Sequence, residues 1–337
     1  MREEGAFKFT WGERRLIRQY CRDPERFTVQ KTVVVRGRRR KIVTYAHSPD
    51  GRRLRRLHAR IHAFLCAQMP HSRTSYAYRR GTSALDCVRA HLGNDLFFKT
   101  DVHRFFDSVD PEIMRRLLTL ACGGLNAVRL SEVTGEVRAP FRRRKFAGRM
   151  VRACFFRGRL PIGFVSSPAL SDLYLYLCDR AMEECGALYT RYADDILISV
   201  KGRRSVQRLA DAQELLARSL GQLGLELNRR KTFTRELKQP GDALHFLGVN
   251  LVRRAEFPLE VTVGDRYLRE TCRLYCRSLA GDCSKEERAE LAGRVQYVAH
   301  VSAAGREKLA RMCRVKSGGK SPYDPPENGG SCSGFKQ

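Results

Sequence analysis

Arg191-Tyr192-Ala193-Asp194-Asp195-Ile196-Leu197-Ile198 is the stretch on which the reading of this chain turns. Leu188-Tyr189 lead into it and Ile196-Leu197-Ile198 lead out, so apolar runs flank a pair of acids. Read with period two, this predicts strand, tight turn, strand, with the aspartates at the turn. Successive side chains on a strand point to opposite faces, so adjacent carboxylates converge only where a turn re-aims one of them. Aspartate tolerates that geometry. A solvated Asp-Asp turn on any surface would look the same. The rest of the chain must supply a third carboxylate, a phosphate-binding surface and a path for nucleic acid.

The third carboxylate is Asp101. Leu96-Phe97-Phe98-Lys99-Thr100-Asp101-Val102 reads as a short buried strand ending in an acid. Asp110-Pro111-Glu112 then opens a helix, with Asp110 as its cap and proline at the first helical position. Asp110 fills the capping role, which leaves Asp101 without a local structural duty. Between Asp101 and the opening hairpin lie a crossover helix, a loop from Leu160 to Pro168 and an apolar helix from Ala169 to about Glu184. Such a βαβ-like core can bring three acids to one sheet edge. Clustered carboxylates repel one another unless a cation neutralises them. Hard oxygen ligands suit Mg²⁺, and two such ions can activate a 3′-hydroxyl and stabilise a leaving pyrophosphate.

Composition points to a matching substrate. The 337 residues hold 64 Lys plus Arg against 36 Asp plus Glu, a formal charge of +28. With 42% hydrophobic and 9% aromatic residues, this is a globular chain and not a disordered basic tail. A folded chain this basic implies a polyanionic partner, nucleic acid before any other. No apolar run approaches the roughly 20 residues of a spanning helix, and Met1-Arg2-Glu3-Glu4-Gly5 lacks the apolar core of a signal peptide. A cytoplasmic location and no membrane partner are therefore expected. The twelve cysteines show no Cys-x-x-Cys pair and read as reduced thiols. A structural metal at Cys272, Cys276 and Cys283 is the alternative.

Along the chain, Phe7, Phe9, Trp11, Leu16, Ile17 and Tyr20 are expected on one face of a short helix. Val33 to Val35, a basic run Arg36 to Lys41, and Ile42 to Tyr45 predict a β-hairpin whose tip can meet phosphates. Leu54, Leu57, Ile61, Phe64 and Leu65 recur at helical spacing over 52–68, with arginines elsewhere on the surface. Ser83 is read as the cap of a helix over 84–92. Residues 121–158 look less regular and carry a basic cluster, Arg142 to Lys145 with Arg149 and Arg152. Ser205 is read as a cap for the next helix, Leu225–Leu227 and Lys231–Thr234 as edge strands, and His245–Leu251 as a hairpin strand. From Asp265 the pattern is helical, with a Ser284-x-x-Glu287 capping box.

Taken together, these segments resemble the reverse transcriptases, nearest the bacterial retron, group II intron and defence-associated branches. The resemblance covers roughly 33–310. Arg40-Lys41-Ile42-Val43 resembles the fingers motif whose arginine holds the incoming triphosphate, and Tyr78 to Ser83, with Arg79 and Arg80, the next fingers block. Lys99-Thr100-Asp101-Val102-His103-Arg104-Phe105-Phe106 is similar to the first palm motif. Leu160 to Pro168 resembles the template-and-nucleotide loop, Tyr192-Ala193-Asp194-Asp195 the metal box, and Asn228-x-x-Lys231 the motif whose lysine approaches the pyrophosphate. Phe246-Leu247-Gly248 resembles the primer grip, and the last helices the thumb. One such tetrapeptide decides little; seven motifs in family order decide the reading.

The resemblance implies an α+β right-hand polymerase with fingers, a palm of antiparallel sheet on helices, and a helical thumb. Its implied limits are an N-terminal extension over 1–30, fingers 31–95, palm 96–120, a basic fingers insertion 121–158, palm again 159–255, thumb 256–316 and a disordered tail 317–337. It implies RNA-directed DNA synthesis on a structured noncoding RNA, with a DNA product or primer and dNTPs as partners and a role in antiviral defence. Asp101, Asp194 and Asp195 would be catalytic and, with Val102, metal-binding, holding two Mg²⁺ or, in their place, Mn²⁺. Arg40, Phe106, Ile162, Gly163 and Lys231 would meet the nucleotide, Phe106 as the wall against a 2′-hydroxyl. Tyr192, Ala193, Phe246, Leu247, Gly248, Arg79 and Arg80 would meet primer and template, and the basic helix 52–68 and cluster 142–152 would grip RNA.

Two departures stand out. The family usually places Gln where Ile162 stands, and isoleucine cannot donate a hydrogen bond to a sugar. Diversity-generating retroelement enzymes also carry an aliphatic residue there, but they follow the serine with Gln, where this chain has Ser167-Pro168. The retron-type Val-Thr-Gly of the thumb is missing from its place. Alternatives in function are an enzyme of that retroelement type, a template-independent DNA polymerase, and an RNA-binding scaffold whose chemistry is idle.

Overall fold

A computed structural model describes residues 7–35, 38–125, 128–135, 137–255 and 258–324. Helix α1 (Trp11–Arg22) opens on a capping box between Thr10 and Glu13. Strands β1 (Thr28–Val35) and β2 (Arg38–Tyr45) form an antiparallel hairpin with Thr28 opposite Tyr45. Of the expected tip, Arg36 to Lys41, residues 38–41 are part of β2 and Arg36-Gly37 lie outside the described residues. Helix α2 (Pro49–Gln68) starts at the Ser48 cap. Then come α3 (Ala84–Arg89), β3 (Leu96–Asp101), α4 (Phe105–Ser108), α5 (Pro111–Ala121), α6 (Ser131–Thr134), α7 (Phe141–Cys154) and α8 (Ser167–Met182). The hairpin β4 (Leu188–Tyr192) and β5 (Asp195–Val200) follows, then α9 (Ser205–Gln222) and β6 (Phe233–Glu236). The chain continues through β7 (Ala243–Phe246), β8 (Val249–Val252), β9 (Glu260–Val263), α10 (Asp265–Leu279), α11 (Lys285–Val301) and α12 (Ala303–Ser317).

Two compact units result, one from residues up to 87 together with 94–235, the other from 88–93 with the chain from 236 onward. The first holds a four-stranded sheet in the order β4-β5-β3-β6. Both β3 and β4 run antiparallel to β5. The crossover from β3 therefore reaches a strand running the same way, β4, but β5 inserts between them. The βαβ-like core expected is a split βαβ. Helix α9 packs on β3 and β5 and against α8. Helix α8 is buried on most sides, as its apolar sequence requires. Its Tyr174 hydroxyl donates to the Leu223 carbonyl at 2.7 Å and accepts from the Asp110 amide at 3.1 Å, tying α5 to the end of α9.

Several local expectations need correction. Residues 141–154 form a regular helix because Ala147, Met150, Val151 and Cys154 fall at i, i+3, i+4 and i+7 and are buried, a stripe hidden among arginines. Trp11 is not on the buried face of α1 but 69% exposed; Leu16, Ile17 and Tyr20 do the packing. Ser205 is the first residue of α9, and Arg204, left-handed at φ 58°, holds the cap position without a side-chain bond. Helix α3 ends at Arg89 although Ser83 does cap it, its Oγ accepting from the Asp86 amide at 3.2 Å. His245–Leu251 is not one strand: β7 and β8 pair across it, Phe246 opposite Val249.

In the second unit β7, β8 and β9 make an antiparallel sheet beside α10, α11 and α12. The Ser284/Glu287 capping box opens α11. Residues 318–324, expected within a disordered tail, are tied down. The Tyr323 hydroxyl donates to Val295 O at 3.0 Å, the Arg306 guanidinium lies over its ring, and Arg314 pairs with Asp324 at 2.6 Å. The remainder of that tail, 325–337, lies outside the described residues. Among the described residues no helix is long and apolar enough to cross a membrane.

Candidate active site

The register between β3 and β5 ends with Asp101 opposite Asp195. The turn before β5 brings Asp194 alongside: its carbonyl accepts from the Val102 amide at 3.1 Å. Ala193 makes the turn by adopting a left-handed φ of 58°. The structure thus brings the three acids, one from a strand end and two from a hairpin, to one end of the two inner strands. Asp101 is 3% exposed and its Oδ1 has no hydrogen-bond partner. Its Oδ2 is ion-paired with the Lys231 ammonium. Burial raises the Asp195 carboxyl to about 6, with the charges of Asp194 and Asp101 adding to it and Lys231 and Lys99 opposing. Burial also raises Asp194, as does Asp101, against the pull of Lys231 and Arg40.

Among the described residues no group of three or more His, Cys, Asp or Glu side chains is gathered as a finished metal site, at these acids or at Cys272, Cys276 and Cys283. Two features nevertheless fit hard cations at the three aspartates. One is the orphaned, buried Asp101 oxygen, which costs free energy unless a cation or donor meets it. The other is the mutual repulsion that lifts Asp194 and Asp195. In the present arrangement Lys231 supplies part of the missing positive charge.

A buried arginine holds the hairpin from behind. Arg191 is 1% exposed. Its Nε and Nη2 grip Asp179 on α8 at 2.7 and 2.5 Å, and Nη2 also reaches Asp172 at 2.8 Å. Its remaining nitrogen, Nη1, donates to the carbonyl of Ala193 at 3.0 Å, inside the turn itself. Tyr189 donates to Asp179 at 2.8 Å and Ser75 to Asp172 at 2.7 Å, with His71 3.2 Å from the other Asp172 oxygen. Burial alone would raise Asp172; His71, Arg191 and Ser75 outweigh it and hold that carboxyl below the usual range. Sequence reading missed this set. Its one signal was a pair of acids seven apart on an otherwise apolar helix.

The nucleotide-side expectations fall as follows. Arg40 is exposed on β2, and its charge reaches Asp194. Phe106 is half-buried on α4, its ring edge-on to Phe105 at 5.5 Å. Ile162 is 37% exposed; Gly163 has φ 113°. Strand β2 meets this loop backbone to backbone, the Val43 amide donating to Ile162 O at 2.9 Å. Arg79 spends its Nη1 on the carbonyls of Ser72 and Ser75, while Arg80 is exposed. The Lys99 ammonium lies over the Phe233 ring at 5.6 Å; burial lowers it, Lys231 adds to that, and Asp195 and Asp101 oppose. Phe246 is fully buried in the second unit, and Leu247-Gly248 turn the β7–β8 hairpin with positive φ at both residues.

The family model for reverse transcriptase (RNA-dependent DNA polymerase) matches residues 39–251, well over half the chain and including all three aspartates. The chain belongs to the reverse transcriptases. Its fold is accordingly the α+β right-hand polymerase fold. The retron Mx65 reverse transcriptase of Myxococcus xanthus is 29% identical over 80% of this chain and 61% of its own length. The retron Ec86 reverse transcriptase of Escherichia coli is 24% identical over 47% of this chain and 44% of its own. The chain thus spans about half to three fifths of these curated reverse transcriptases. Among solved structures, apo telomerase from Candida tropicalis aligns over 90% of this chain and 64% of that one, at 13% identity and a TM-score of 0.48.

Proposed function

We propose that this reverse transcriptase is an RNA-directed DNA polymerase that copies a structured noncoding RNA into cDNA from dNTPs, in bacterial antiviral defence as in the branch it resembles. The observation that carries the proposal is the meeting of Asp101, Asp194 and Asp195 at adjacent strand ends with one buried carboxylate oxygen left unpartnered. Two divalent ions bound there, Mg²⁺ or Mn²⁺, would supply Lewis-acid activation of a primer 3′-hydroxyl and neutralise charge on the departing pyrophosphate. The chain's own residues do the rest. Arg40 meets the triphosphate from the β2 side. Lys231 leaves Asp101 for the pyrophosphate once other cations neutralise the acid. Phe106 walls the sugar site against a 2′-hydroxyl.

Against the idle-scaffold reading stand the three intact aspartates and the Lys231 ammonium paired with Asp101. Primer extension on an RNA template with Mg²⁺ and dNTPs tests the proposal. Wild-type protein should extend the primer and Asp194→Ala should lose at least about a thousandfold in rate. Undiminished synthesis by Asp194→Ala would refute the assignment. Sequencing the nucleic acid that copurifies identifies template, primer and product together.

A further inference from the structure

The Leu160–Pro168 loop is tied to the hairpin that carries Arg40 by an oriented chain of hydrogen bonds. The Val165 amide donates to the Tyr45 hydroxyl at 2.9 Å. That hydroxyl lies 2.9 Å from Nδ1 of His58, whose Nε2 lies 2.9 Å from the Ala153 carbonyl. A carbonyl can only accept, so Nε2 carries a proton and donates to it. Nδ1 of the neutral ring then has a lone pair and must accept the Tyr45 proton. The Tyr45 oxygen is thereby left free to accept from Val165. Only this order satisfies every member. His58 is fully buried on α2, and burial lowers it to about 4, which keeps the ring neutral as the order requires.

The packing runs along the same line. The Tyr45 ring stacks on Phe164 at 5.1 Å with planes 15° apart, and His58 lies 4.7 Å from the same ring. One step away, Val43 N–H bonds Ile162 O, and a Cβ on Gly163 would come within 2.6 Å of Val43 O. Loop and hairpin therefore touch at four successive loop residues, through the backbone at 162, 163 and 165 and through the ring of Phe164. None of these contacts uses the side chain of Ile162, the position where the family's glutamine is absent.

We propose that Tyr45 and His58 are positioning residues for nucleotide selection, holding the backbone of residues 162–165 at a fixed distance from the Arg40 hairpin. Selection at the sugar is then exerted by the placement of the loop backbone and not by a side-chain donor at 162. The proposal rests on the polymerase reading above. Its structural half can be tested without it.

Tyr45→Phe removes one oxygen and keeps the ring stack. It leaves the Val165 amide and His58 Nδ1 without partners. Hydrogen exchange of 160–168 should accelerate about tenfold or more in the variant, with β3 and β5 unchanged. In single-nucleotide extension, KM for dNTP should rise about tenfold and misinsertion should increase, while kcat moves less than about threefold. His58→Asn, whose Oδ1 can stand in for Nδ1, should lie nearer wild type in both measurements than His58→Leu. Unchanged exchange in a Tyr45→Phe protein that melts like wild type overturns the clamp, whatever the protein's activity. Faster exchange with unaltered KM and misinsertion overturns its role in selection. A wild-type protein that extends no primer overturns the polymerase reading, and the exchange experiment still decides the clamp.

Discussion

Arg191 does two jobs with one guanidinium: it compensates two buried acids, and it holds the carbonyl of a turn residue. Arg191→Met would leave Asp179 buried without a cation and Asp172 with only His71, and should cost about 3–5 kcal/mol of stability in denaturant unfolding. Arg191→Lys keeps a charge but lacks the planar fork needed to span both acids and Ala193 O. It should stay folded and lose most of its primer-extension rate; full activity would show that the turn needs no hold from behind. Ile162 is the second residue of interest. Ile162→Gln restores a donor to the loop, so sequencing of extension products should show fewer errors than wild type. Equal error rates would remove Ile162 from the account of fidelity. These side chains were not equally legible in the sequence. Asp101, Asp194 and Asp195 could be found because each sits at a strand end or turn that local pattern reveals. Arg191 looked like the flank of a motif, because its acids lie 12 and 19 residues before it on another element.

At the scale of elements, most strands and helices with an apolar period lie close to where the sequence places them, and the exceptions have separate causes. Helix α7 was missed since its buried stripe is interrupted by arginines that face away from the core. The split of the βαβ core could not be read from sequence, because pairing order is set by which strand the hairpin inserts, and no local pattern encodes it. The loop after Leu160 was legible as a loop, but its docking on β2 depends on partners about 120 residues away. Gly163 is where that docking can be broken cleanly. Gly163→Ala must accommodate a φ of 113° and a methyl 2.6 Å from Val43 O. It should destabilise by about 1–3 kcal/mol in thermal or denaturant unfolding. A neutral outcome would mean that β2 and the loop are not in backbone contact in solution.

For the whole molecule, charge and pH set the working range. On α1 and α7, Arg14, Arg18, Arg142, Arg144 and Arg152 have no acid within ion-pair distance among the described residues and form part of the +28 excess. Affinity for an RNA hairpin should fall on the order of a thousandfold between 50 and 200 mM salt; a flat response would argue against phosphate contacts as the source of binding. His58 gives stability a pH dependence of known sign. Its folded value is near 4 and its unfolded value near 6.5. The unfolded chain takes up the proton first as pH falls. The contribution is therefore complete above pH 6.5 and is lost on descending toward 4, by up to about 3 kcal/mol. Asp195, raised to about 6, changes stability in the opposite sense over an overlapping range. The difference between wild type and His58→Gln cancels that term. It should shrink as pH drops from 7 to 4, and a pH-independent difference would mean that His58 is not held neutral.

The ion pair between Lys231 and Asp101 has a consequence for how such a protein behaves in the test tube. A cluster of acids that awaits cations would ordinarily make a fold fragile to chelation. Here a tethered ammonium already stands in for part of the missing charge, so EDTA should shift the melting temperature by no more than about 2 °C. Lys231→Ala removes the stand-in. Its melting temperature should then climb with added Mg²⁺ more steeply than that of the wild type, as linkage requires when a ligand binds only the folded state. The lysine would act as a counterion on a leash, present while the site is empty and displaced when it fills.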